Sequence, residues 1–70
     1  MAPMSGEELR SIRKRIGLTQ VQMADELGWR SNSVARAERS EMPITEPIAK
    51  LARLLLKVRL DEKRRRRREG

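Results

Sequence analysis

Residues Thr19 to Arg39, TQVQMADELGWRSNSVARAER, carry the densest set of helix signals in the chain. Thr19 and Gln22 stand three apart ahead of Met23, Ala24 and Leu27, the spacing of a capping box opening a helix with one apolar face. That predicts a short helix over about 20–27. Gly28 suits the left-handed residue that closes a helix, and the chain then turns through Trp29 and Arg30. A second helix is expected from about Ser31 to Arg39, with Val34 and Ala37 facing inward and the small Ala35 and Ala37 allowing close approach on both sides. Arg30, Ser31, Asn32 and Arg36 then lie at its start and along its outer face.

On the N-terminal side, Ser5 and Glu8 make another capping signature, and Glu7 and Glu8 suit the positive end of a helix. Leu9, Ile12 and Ile16 recur at helical spacing, predicting a first helix over about Gly6 to Arg15, ended by Gly17. Residues 1–4 are expected to be a flexible leader. On the C-terminal side, 40–45 is a loop containing Pro43. Thr45 can cap a fourth helix that accepts Pro47 in its first turn and meets no breaker before Leu60. Repulsion along Lys63 to Arg68 is expected to fray residues 61–70 into a basic tail. The fold expected is all-α, a compact domain of four helices over 5–60.

The fourth helix carries more apolar surface than a small core needs. Leu51, Leu54, Leu55 and Val58 project to one side with Ile48 and Ala52 beside them, while Ala49, Leu56 and Leu60 fall on another. One side should pack on the other helices and the second wants a partner. The expected arrangement is a homodimer interface containing Leu56 and Leu60.

Seventy residues leave room for one domain, and so small a core is marginal without a staple. Cysteine and histidine are absent, which removes disulfides, the usual zinc ligands and the commonest general base together. No enzyme, metal, cofactor or small-molecule ligand is expected, and oligomerisation is the staple left. The formal charge of +7, from 17 Lys and Arg against 10 Asp and Glu, points to a polyanionic partner. With one Trp and no Phe or Tyr, stacking platforms for single strands fit poorly, so double-stranded DNA is the better match. The sequence has neither a secretory leader pattern nor an apolar run of about 20 residues, so no membrane association and a cytoplasmic, nucleoid-associated location are expected.

Two short helices joined by a tight turn, with polar residues on the second, are the layout of a helix-turn-helix, whose second helix enters the major groove. The segments LRSIRKRIGLTQ (9–20), MADELGW (23–29), SVARAER (33–39) and PITEPIAKLARLL (43–55) resemble, in order and spacing, the phage-repressor and Cro-like regulators, also called the xenobiotic-response-element type. The part from Pro43 to Leu55 is similar to compact stand-alone bacterial and phage members. The resemblance implies a dimeric domain that binds operator DNA. It implies base contacts from Arg30, Ser31, Asn32 and Arg36 and phosphate contacts from Gln20, Ser33 and Arg39. It also implies a structural ion pair between Arg13 and Glu38. The chemistry suits the first set independently, since Arg matches guanine O6/N7 and Asn matches adenine N6/N7.

Three departures from the family pattern bear on structure. Ser40 stands where glycine is usual, and Arg30 where a small capping residue is common, leaving open whether Ser31 reads a base or caps the helix. A long fourth helix takes the place of the usual fifth. The function expected is a sequence-specific transcriptional regulator, a repressor, binding a palindromic operator as a homodimer through its third helix. The alternative is an antitoxin-like or adaptor module that binds a partner chain through the fourth helix, and a third reading is sequence-neutral coating of nucleic acid. For Lys63 to Arg68, a solvated tail, a phosphate-binding arm and, in a eukaryotic source, a localisation signal all remain open.

Overall fold

The computed structural model describes residues 3–69 and is all-helical over that range: α1 (Gly6–Ile16), α2 (Gln20–Leu27), α3 (Ser33–Glu38) and α4 (Glu46–Glu69). The first two begin on side-chain caps. Ser5 Oγ accepts from the Glu8 N–H at 3.1 Å. Thr19 and Gln22 complete a reciprocal box, Gln22 N–H to Thr19 Oγ1 at 3.1 Å and Thr19 N–H to Gln22 Oε1 at 2.9 Å. Ser5 lacks that reciprocity because the Glu8 carboxylate instead accepts from Arg53 of α4 at 2.9 Å.

The first three helices end the same way, with a left-handed residue whose successor donates back across the last turn. Leu18 N–H reaches the Arg13 carbonyl past Gly17, Trp29 N–H reaches Ala24 past Gly28, and Glu41 N–H reaches Arg36 past Ser40. Ser40 holds φ 61°, so the turn forms without the glycine usual there.

The core lies where the four helices meet. Leu9 and Ile12 of α1, Met23, Ala24 and Leu27 of α2, and Val34 and Ala37 of α3 are buried, with Ala49 and Ala52 of α4 against them. Met4 and Ile44 close the ends of this cluster. Met4 is 3% exposed and the Pro3 carbonyl accepts from Arg53 at 2.9 Å, so the leader expected to be flexible through Met4 is part of the fold at Pro3 and Met4. Met1 and Ala2 lie outside the described residues.

Gly6 fits for a reason the sequence does not announce. A Cβ there would lie 2.5 Å from the Ala37 carbonyl oxygen and 2.7 Å from that of Glu38. The start of α1 therefore rests directly on the end of α3, a contact between opposite helix-dipole poles that only glycine permits.

The fourth helix differs from expectation twice. It runs through Glu69 without stopping near Leu60, because Lys, Arg and Glu are good helix formers and no Gly or Pro interrupts them. Its inward face also straddles the two apolar sides: Ile48, Ala52 and Leu55 of the first pack on the core together with Ala49 and Leu56 of the second. Ala49, Ala52 and Leu56 face inward, whereas Leu51, Leu54 and Val58 are 39%, 56% and 45% exposed. Leu56 and Leu60, expected at a dimer interface, are both half-buried, and Leu56 packs against the core. Residue size decides this: α4 packs chiefly on α1, and alanines at the crossing let the helices approach where leucines would hold them apart.

Candidate nucleic-acid interface

The residues expected to meet DNA divide between the turn and the helix that follows it. Helix α3 starts at Ser33, two residues later than the Ser31 start expected, and ends at Glu38. Ser31 therefore neither caps the helix nor opens it; it lies with Asn32 in the preceding turn, closed by the Ser33 N–H donating to the Arg30 carbonyl at 2.9 Å. Asn32 occupies the cap position with φ −95° and ψ −4°, and its side chain makes no capping hydrogen bond. Its amide keeps both donor and acceptor for another partner.

Burial sorts the segment into two faces. Val34 and Ala37 are buried, while Arg30, Ser31, Asn32 and Arg36 are all exposed. Among the described residues neither Arg30 nor Arg36 has an acidic partner within ion-pair distance. The outward face thus presents two guanidinium groups, a hydroxyl and an amide. Those groups can address base edges directly: two bidentate donors, one bidentate donor–acceptor and one adaptable hydroxyl.

What holds α3 against the other helices is a cluster centred on Glu38. Arg13 Nε donates to Glu38 Oε2 at 2.7 Å and Arg13 Nη2 to Oε1 at 3.2 Å. The side chains are 13% and 5% exposed, so the pair is largely withdrawn from water. A third guanidinium donor, Arg13 Nη1, reaches the Leu18 carbonyl at 3.1 Å, tying the α1–α2 connection into the same cluster. This fork matches the planar geometry at which Arg–carboxylate hydrogen bonds are strongest.

Gln20 joins that cluster, its Nε2 donating to Glu38 Oε1 at 3.2 Å. The residue expected to touch phosphate therefore first serves the fold, locking the start of α2 to the end of α3. Ser33 is half-buried at the start of α3. Arg39, 63% exposed, forms a fork with Glu41, Nε to Oε2 at 2.8 Å and Nη2 to Oε1 at 3.2 Å. A pair this open contributes about 0–1 kcal/mol, so it is a weak competitor for a phosphate.

Sequence reasoning missed the ties from α4. Arg53 bridges Glu8 and the Pro3 carbonyl, and Arg59 Nη2 lies 3.5 Å from Glu26 Oε1 on α2. Nothing local signals them, since each partner is more than thirty residues away in the chain. Trp29 is half-buried and packs against the core, which makes it a prop beneath the turn.

A helix-turn-helix family model matches residues 9–63, most of the chain and all of the α2–α3 unit. The chain belongs to this family, the Cro/C1-like, xenobiotic-response-element type, and is a DNA-binding regulator of transcription of that type. Neither the curated proteins nor the solved structures yield a match. No helix of the described residues is long and apolar enough to cross a membrane.

Proposed function

We propose that the protein represses transcription by binding a palindromic operator as a homodimer, with α3 in the major groove of each half-site. The observation that carries this reading is the split of the α3 segment: Arg30, Ser31, Asn32 and Arg36 exposed, Val34 and Ala37 buried beneath them. Arg30 and Arg36 would take guanine, Asn32 adenine, and Ser31 either, each good bidentate pair contributing about 1–3 kcal/mol of discrimination. Gln20, Ser33 and Arg39 would hold phosphates and fix register. Occlusion of the promoter needs no catalysis, in keeping with a chain that has neither His nor Cys.

For the dimer, burial favours Leu51, Leu54 and Val58 as the shared surface, with Leu56 and Leu60 behind them. The same exposed face also favours the second reading, an adaptor or antitoxin-like module that docks a partner chain through α4. The two separate on substitution. With Asn32→Ala and Arg36→Ala together, the repressor loses its preference for one duplex sequence over another by about 100-fold or more, measured by competition binding. Full activity in that variant would hand the function to α4.

A further inference from the structure

We propose that the C-terminal part of α4, from Lys63 onward, is a rigid phosphate-binding arm that adds sequence-neutral affinity for duplex DNA. The inference rests on the DNA-reading role of α3 and extends it to a second surface of the same molecule. Six consecutive basic residues, Lys63 to Arg68, stand on an uninterrupted helix. Lys63, Arg64 and Arg65 are all exposed, and among the side chains described, those of residues 3–65, none of the three has an ion-pair partner.

The path of α4 brings this segment near the end of α2. Arg59, one helical turn before Lys63, lies 3.5 Å from Glu26, near the end of α2. The α2–α3 turn with Arg30 begins two residues beyond Glu26, at Gly28. The basic run therefore starts from the end of the molecule where the reading segment also starts. Two basic surfaces that start from the same end of the molecule can be met by one polyanion. A duplex fits this charge better than an acidic protein patch because it offers phosphates at regular spacing along a length comparable to the helix.

Helical geometry limits the gain. Residues 63, 64 and 65 point 100° apart in turn, so one duplex can be met by about two of the three, and the log–log salt slope should change by about 0.9 for each. A frayed arm would be under no such limit.

The test uses the full chain with Lys63→Gln, Arg64→Gln and Arg65→Gln together, a change that keeps helix propensity and removes charge. Duplex affinity is measured by fluorescence anisotropy between about 50 and 300 mM salt, on a selected sequence and on a scrambled one. The expected result is a slope smaller by about 1–2 on both duplexes, with the preference between them unchanged. A Lys-for-Arg variant at 64 and 65 should keep the wild-type slope, and matching circular dichroism spectra would tie the effect to charge. An unchanged slope in the Gln variant overturns the arm while leaving α3 as reader. Loss of preference between the duplexes overturns it as well, since the residues would then be reading sequence. If the wild-type protein binds neither duplex at any salt, the DNA-reading role fails first and the arm with it.

Discussion

Ser40 carries a backbone strain that glycine would relieve. At φ 61° a residue with a Cβ is held in the left-handed region at a cost of about 1–2 kcal/mol, and the hydrogen bonds closing α3 keep it there. Ser40→Gly should therefore raise stability by about 0.5–1 kcal/mol after its larger unfolded-state entropy is counted, read as a higher urea midpoint at unchanged slope. A lower midpoint would contradict the left-handed assignment. Gly6 is the opposite case. Gly6→Ala drives a methyl into two carbonyl oxygens of the α3 end, 2.5 and 2.7 Å away, and neither is the tip of a flexible side chain. Separating α1 from α3 should cost about 1–3 kcal/mol, and a neutral result in thermal or urea unfolding would refute the close approach.

Among the elements, α3 is too short to persist alone and depends on its attachments. The Arg13–Glu38 fork is one of these. Removing one partner leaves a partly buried charge short of its counter-ion, so Arg13→Ala or Glu38→Ala alone should cost about 1–3 kcal/mol, and the double variant clearly less than the sum. Additive losses in the double-mutant cycle would show that the pair contributes no coupling. For α4, burial assigns different consequences to neighbouring leucines. Leu54→Asp should leave the fold within about 0.5 kcal/mol of wild type and weaken self-association in sedimentation, while Leu56→Asp should destabilise the monomer itself by about 2 kcal/mol or more. The reverse pattern would restore Leu56 to the shared surface.

Across the molecule, what the sequence discloses is local. Thr19 with Gln22, Gly28, and Val34 with Ala37 mark α2, the turn and the buried side of α3, because caps and helical periodicity act within a few residues. The exposed set on the reading segment follows from the same periodicity. The side of α4 that faces inward does not, since both sides are apolar and the choice rests on how closely α1 crosses. The Gly6 contact and the Arg53 and Arg59 ties are likewise set by distant chain segments. The start of α3 lies later than expected because Ser31 and Asn32 favour turns, and the helix begins only where Val34 can be buried. One consequence is that three of the four proposed base-reading residues stand on or before the cap of α3, with Arg36 alone on the helix body.

Reading of sequence by this segment on two symmetric half-sites is tested by selecting bound duplexes from a random pool with the whole chain. The result expected is a palindromic consensus with half-site centres about 34 Å, one helical turn, apart. Recovery of duplexes with no shared sequence, at salt where binding is retained, would contradict it and leave only a basic surface that coats DNA.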